Sequence, residues 1–188
     1  RHSYQLSSGD NYHIMNSKDL MGLTHLPEYF KNKIDAVKIE GRMKSILYVA
    51  NACKHYRLAI DAFEKNKSID HMNSLTDALS QVSNRGFTDA SLISPAQTSS
   101  ISYDWNGYSK SLEYVGVIKS TKNNKALLET KQPISRGDGA YLMTPTQSSL
   151  MPLTLEIESL QGESLSQAVP NQHVWLNFPA PDHGILVR

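Results

Sequence analysis

One cysteine, Cys53, in 188 residues excludes an internal disulfide framework, and it excludes a cysteine-rich zinc or iron–sulfur site built from this chain alone. Long apolar runs are also missing. Apolar runs are short, such as Leu58–Ile60 and Ile185–Val187, and too short for a bilayer-spanning helix. No secretory leader is visible, so the expected setting is cytoplasmic with no membrane partner. Neither charge sign dominates: the net charge of +1 argues neither for nor against nucleic acid. Catalytic signatures are sparse. The seven histidines (His2, His13, His25, His55, His71, His173 and His183) show no close metal-ligand spacing, so no metal site is expected. No His-Glu-x-x-His and no Gly-x-Ser-x-Gly occurs, so neither a zinc protease motif nor a nucleophile elbow is present.

The composition is that of an ordinary globular chain, 39% hydrophobic and 20% charged. In the first half, Tyr12–Met15 reads as a short strand. Leu20, Leu23, Leu26 and Phe30 then recur at helical spacing, predicting an amphipathic helix over 18–31, kinked or divided at Pro27. Asn16 or Ser17 can cap it, with Asp19 in its first turn. Ile34–Ile39 reads as a second strand, Gly41 as a turn, and residues 43–65 as a long helix. A further helix fits Ile69 to Val82. This order implies an α/β layer with a parallel crossover. Cys53 is expected on a packed helix face, as free cysteines usually are.

Beyond residue 96 the pattern changes. Residues 97–111 are rich in Ser and Tyr, contain an Asn106-Gly107 turn signal, and read as a linker. Short alternating segments follow at 113–118, 126–130, 140–143, 153–157 and 173–178, separated by turn residues at 123–124, 137–139, 162 and 170–171. That spacing predicts a small all-β barrel. The expected division is an α/β part over 1–96, a linker over 97–111 and a barrel over 112–188. Two strands do not make an independent sheet, and the chain opens on Arg1, so it is expected to be the C-terminal portion of a longer protein.

Charge is distributed unevenly. Between Lys31 and Arg57 there are seven basic residues and two acidic ones. At the centre stands KIEGRMKS (38–45), where Lys38, Glu40, Arg42 and Lys44 surround one glycine at the end of the expected strand. Glu40 is a candidate general acid or base if apolar surroundings raise its pKa; alternatively Lys38 or Arg42 holds it ionised. Arg42 is suited to grip a carboxylate or phosphate in a two-pronged fork. The alternative is an ion pair that closes a loop.

NSKDL (16–20), KIEGRMKS (38–45), YVANACKHYRLAID (48–61) and SNRGFT (83–88) resemble the collagenase-like peptidase family U-32. VGVI (115–118), RGDGAYLMTP (136–145) and VWLNFP (174–179) resemble the β-barrel that follows its catalytic domain, itself similar to the second domain of translation elongation factors. The resemblance implies the end of a barrel-like catalytic domain followed by that small barrel, in the branch concerned with tRNA hydroxylation. There the expected reaction converts the wobble uridine of tRNA to 5-hydroxyuridine. A relative in the family acts on ribosomal RNA.

On this reading Glu40 and Arg42 are the candidate catalytic residues, and Lys38, Lys44, Asn16, Lys18 and Arg85 the candidate substrate-binding residues. Asn16 and Lys18 have capping as their alternative, and Arg85 an unremarkable surface position. The resemblance also implies an iron–sulfur cluster in the full-length protein, held by cysteines upstream of Arg1, and prephenate as a small carboxylate co-substrate. The expected partner is tRNA or ribosomal RNA. The chain departs from the family at Met21, where some members carry cysteine. The alternatives are a collagenase-like peptidase, or a non-catalytic module that binds RNA or a partner protein. The isolated chain is expected to be catalytically silent.

Overall fold

The computed structural model describes residues 16–65, 69–103 and 111–188. The expected strand at 12–15 and the Asn106-Gly107 turn lie outside the described residues.

The first part is mainly helical. Its longest element, α2 (the second helix, Ile46–Glu64), begins at Ser45, whose hydroxyl accepts the Tyr48 N–H at 3.2 Å. That satisfies one of the donors a helix start leaves open. Ala52 and Ala59 turn inward against Leu23, Leu26, Leu75 and Leu79. The helix before it, α1 (Leu26–Lys31), carries Pro27 in its first turn, where a missing N–H costs nothing. The third, α3 (Ile69–Ser80), packs against α2 and is tied to it by Asn51 Nδ2 donating to the Ala78 carbonyl at 3.1 Å. No helix among the described residues is long and apolar enough to cross a membrane.

Two expectations for this part are corrected. The helix predicted over 18–31 forms only from Leu26, after a 3₁₀ turn at Leu23–His25. Residues Asp19–Leu20 are instead strand β1, parallel to β2 (Phe87–Thr88). The Asp19 N–H bonds the Gly86 carbonyl and the Met21 N–H bonds the Thr88 carbonyl, each at 2.8 Å. Backbone pairing with a distant segment thus overrides the local helical period. Second, Ile34–Ile39 forms no strand pairing among the described residues. The Ile34 N–H is spent on the Tyr29 carbonyl (3.0 Å), Lys33 adopts φ +54°, and no described strand lies alongside. The parallel crossover therefore exists, but it joins β1 to β2.

Cys53 is exposed, against expectation. The buried face of α2 runs through Leu47, Asn51, Ala52, His55, Ala59 and Ala62, which places position 53 outward. Lys54 is buried in its stead.

The second part is antiparallel sheet. Its strands are β3 (Tyr114–Lys122), β4 (Lys125–Thr130), β5 (Ile134–Ser135), β6 (Gly139–Met143), β7 (Met151–Thr154), β8 (Ile157–Glu158), β9 (Ser164–Leu165), β10 (Gln167–Ala168), β11 (His173–Leu176) and β12 (Ile185–Val187). Eight of them pair in the order β7-β6-β12-β3-β4-β11-β8-β9. Asn123 and Asn124 take φ +51° and +61° between β3 and β4, the left-handed pair that a tight hairpin needs. Val115, Ile118, Leu128, Leu142, Leu155, Ile157, Val174, Leu176 and Leu186 fill one core.

The expected small barrel takes the form of a curled antiparallel sheet, a half-barrel whose edge strands β7 and β9 do not bond each other. The short pair β5–β10, extended by the Arg136 N–H to the Ser166 carbonyl at 2.9 Å, links the chain leading into β6 with the chain leaving β9.

The two parts touch. Leu47 and Val82 share a core cluster with Met143, Ile185 and Val187. The Ser111 and Leu112 N–H groups both donate to the Gln81 carbonyl, at 3.0 and 3.2 Å. The beginning of the expected linker is folded onto the first part: Thr98–Ser100 is a 3₁₀ turn, and Ile101 bridges Ser17.

Candidate anion-binding site

Pairing of β1 with β2 brings Asp19 beside the Asn84-Arg85-Gly86 turn. The buried Asn84 shapes that turn, donating to the Ser80 and Val82 carbonyls at 2.9 and 2.8 Å and accepting the Gly86 N–H at 2.9 Å. Gly86 sits at φ +79°, a conformation that favours glycine. The turn aims Arg85 at Asp19, whose Oδ1 accepts from Nη2 at 3.0 Å and from Nε at 3.2 Å. Asp19 Oδ2 accepts from Lys44 Nζ at 2.5 Å. One buried carboxylate thus holds two cations. Asn16 Oδ1 supports Arg85 Nη1 at 3.4 Å, and Lys44 also lies 4.7 Å from the Tyr48 ring centroid, within cation–π range. Arg85 is therefore fixed in place by Asp19 and Asn16.

The KIEGRMKS segment, which supplies Lys44 to this triad, lines a cavity of roughly 780 Å³ together with Asp19 and Arg85. Its turn is closed by the Lys44 N–H to the Gly41 carbonyl at 2.9 Å. Gly41 permits a close approach here, since a Cβ would stand 2.8 Å from Val49 Cγ2. Glu40 accepts the Arg42 N–H at 2.9 Å and faces Lys38 Nζ at 3.6 Å. The Arg42 N–H, with the Lys38 charge second, lowers its pKa. Of the two states left open by the sequence, Glu40 is the ionised one: its side chain is 66% exposed, and no apolar pocket raises it.

Lys18, Lys38, Glu40, Arg42, Lys44 and Arg85 all line the cavity, and Asn16 stands behind Arg85. Five cations and two carboxylates surround it, an excess of three positive charges. The ammonium of Lys18 and the guanidinium of Arg42 have no hydrogen-bond or ion-pair partner among the described residues. Tyr29, Tyr48, Tyr56 and Phe87 supply aromatic wall. Burial raises the pKa of Tyr48 and Tyr56, so both hydroxyls are neutral at pH 7. The Tyr56 hydroxyl accepts the Gly22 N–H at 3.0 Å.

Asp19 is the residue that sequence reasoning missed. Its acidic side chain looked like helix-start chemistry, and only the long-range pairing reveals its two cationic partners. Among the described residues, no group of three or more His, Cys, Asp or Glu is placed to hold a metal ion. Nor does the chain fit the iron–sulfur cluster implied for the full-length protein. Such clusters are held by several thiolates, and the one cysteine here is solvent-exposed on α2.

The chain is similar to several known proteins. The tRNA hydroxylation protein P of Escherichia coli (strain K12) is 35% identical over 172 residues, which is 89% of this chain and 37% of that protein. The protein of the same name from Haemophilus influenzae is 31% identical over 175 residues, 89% of this chain and 36% of its own length. The Helicobacter pylori (strain 26695) protein of that name is 42% identical over 86 residues, 45% of this chain and 20% of its own length. The chain thus spans little more than a third of the first two relatives. The crystallised C-terminal domain of a Geobacillus thermoleovorans U32-family protein aligns over 40% of this chain and 99% of its own, at 17% identity and a TM-score of 0.37. Residues 1–102 match the family described as peptidase family U32, and the chain belongs to that family.

Proposed function

We propose that this chain is part of a protein that hydroxylates tRNA, and that its cavity holds an anionic group of the substrate or co-substrate. The observation that carries this reading is the similarity to two proteins named for tRNA hydroxylation, which runs through 89% of the chain and so includes both the cavity and the sheet. The wobble uridine is the proposed nucleotide and 5-hydroxyuridine the product. Arg42 and Lys18, the lining cations without a partner among the described residues, are the proposed grips for a phosphate or for the carboxylate of a small metabolite such as prephenate. Asp19 holds Lys44 and Arg85 in place. Glu40, ionised at neutral pH, is a hydrogen-bond acceptor for substrate.

Oxygen insertion itself is not assigned to any residue of this chain. The iron–sulfur centre is proposed for the remainder of the full-length protein. The sheet is proposed to correspond to the elongation-factor-like domain, acting in the cytoplasm with the rest of the protein.

The peptidase reading rests on the family name. Among the described histidines, His25 faces Asp89 at 3.5 Å and His55 bonds the Asn51 carbonyl at 2.7 Å. Neither is hydrogen-bonded to a Ser, Thr or Cys side chain that it would activate. The test is deletion of the full-length gene, with 5-hydroxyuridine-derived nucleosides in bulk tRNA measured by mass spectrometry. The expected result is loss on deletion, return with wild type, and no return with Arg42→Gln. An unchanged nucleoside level in the deletion strain would overturn the reading.

A further inference from the structure

Phe30 and Phe63 stack at the surface, with ring centroids 4.4 Å apart and planes within 18°. Each residue remains 37% exposed, so the pair presents aromatic surface to solvent. From Phe30 the chain runs through residues 31–38, all exposed, and then along the cavity as far as Lys44. That stretch carries five cations (Lys31, Lys33, Lys38, Arg42 and Lys44) and two acids (Asp35 and Glu40).

Lys44 is held by the buried Asp19 carboxylate, and two of the others have carboxylate neighbours: Lys31 meets Glu28 at 3.7 Å and Lys38 meets Glu40 at 3.6 Å. Both pairs are long and mostly exposed, and such pairs yield to a competing anion at little cost. The sheet part offers no equivalent. Residues 111–188 carry six basic and seven acidic side chains. Lys119 and Lys131 are paired with Glu129, Lys125 with Glu158, Arg136 with Glu156 and Arg188 with Glu113, leaving Lys122 outside any ion pair among the described residues.

We infer that residues 30–44 with Phe63 form a track for single-stranded RNA leading to the cavity. Backbone phosphates lie on Lys31, Lys33, Lys38 and Arg42, and one base stacks on the Phe30–Phe63 pair. The inference rests on the RNA-substrate reading above and adds where and in what form the RNA is held. A duplex keeps its bases stacked internally and has no free face to offer, whereas an unpaired base stacks on an aromatic surface whatever its sequence.

The test is binding of a short fluorescein-labelled oligouridylate to the full chain across a salt series. Phe30→Leu keeps apolar cover but removes the ring, and it is expected to weaken binding about tenfold while Phe30→Tyr binds as wild type. Phe63→Leu is the second variant and is expected to act likewise. Lys33→Gln with Lys38→Gln is expected to flatten the slope of log affinity against log salt by about 1.4, the contribution of two single-strand phosphates. Lys122→Gln in the sheet is expected to change nothing. Equal binding by both leucine variants and wild type, equal competition by duplex RNA, or a Lys122→Gln loss matching the double variant would each overturn the track. Because the readout is binding alone, an unchanged 5-hydroxyuridine level with a functioning track removes the reaction and keeps the track. Loss of the nucleoside on deletion with failure of these variants does the reverse.

Discussion

The two parts of this molecule treat their apolar side chains differently. In the sheet, Ile118, Leu128, Leu142, Leu176 and Leu186 are fully enclosed, and four large apolar side chains, Tyr141, Met151, Leu160 and Val169, are exposed among the described residues. In the helical part there are ten, including Met43 at 91% and Ile93 at 73%. Charge follows the same division. All the sheet's cations but Lys122 are spent on neighbouring carboxylates, while Arg42 and Lys18 line a cavity with no ion-pair partner among the described residues. A region that satisfies its own polar and apolar groups gains stability and gives up binding capacity; the helical part retains unspent groups of both kinds.

The largest effect that sharpens this comparison is expected in the sheet. Leu128→Ala removes a fully buried side chain from the core of the sheet, and a loss of about 2–5 kcal/mol is expected by chemical denaturation. RNA binding at temperatures where the chain remains folded should be unaffected. An unaltered midpoint would show that the sheet is less self-sufficient than its burial suggests.

Next in size is Asp19→Ala, which leaves Lys44 and Arg85 facing each other without their shared carboxylate. The expected cost is about 2 kcal/mol, less than for a fully buried pair, because both cations retain some solvent contact. The same variant should weaken binding of the oligouridylate, which Leu128→Ala should not. A normal denaturation midpoint would remove Asp19 as the organiser of the site.

Lys54 gives an effect of opposite sign. Its ammonium is buried without a hydrogen-bond partner among the described residues, and burial lowers its pKa from 10.5 to about 8. Between those two values the unfolded chain binds more protons than the folded one, so stability rises with pH across that window and is flat below it. Lys54→Met should abolish the rise and add about 1 kcal/mol at neutral pH. A pH dependence in the variant identical to that of wild type would contradict this account of Lys54.

The smallest effect is expected at Gly41, where an alanine Cβ meets Val49 Cγ2 at 2.8 Å. The turn carrying Arg42 and Lys44 must shift by a few tenths of an ångström, so affinity should fall a few-fold while stability changes by about 1 kcal/mol or less. Unchanged affinity would show that this turn does not position the binding groups.

The sheet was readable in the sequence where alternation and turn residues agree. Asn123-Asn124 and Gly162 marked real turns, and β3, β4, β6 and β11 lie where alternating segments were expected. Two-residue strands such as β5 and β10 carry no period to detect, and β12, buried at all three positions, shows no alternation. The helical part was harder to read because its decisive contacts are distant in sequence. Asp19 meets Arg85 across 66 positions, and the same residues that suggested a helix at 18–20 form a strand because β2 is there to pair. Of the seven candidates named from the sequence, the fold brings Lys18, Lys38, Glu40, Arg42, Lys44 and Arg85 to a single cavity and leaves Asn16 behind Arg85. The ionisation of Glu40 was beyond reach, because it depends on where Lys38 and the Arg42 N–H stand in space.

The claim that the helical part, rather than the sheet, handles the nucleic acid is tested most directly by photocrosslinking. A tRNA transcript carrying 4-thiouridine would be irradiated with the full chain and the adducts mapped by mass spectrometry. The account predicts adducts within residues 16–48, at Phe63 and around Arg85. Adducts confined to residues 112–188 would contradict it.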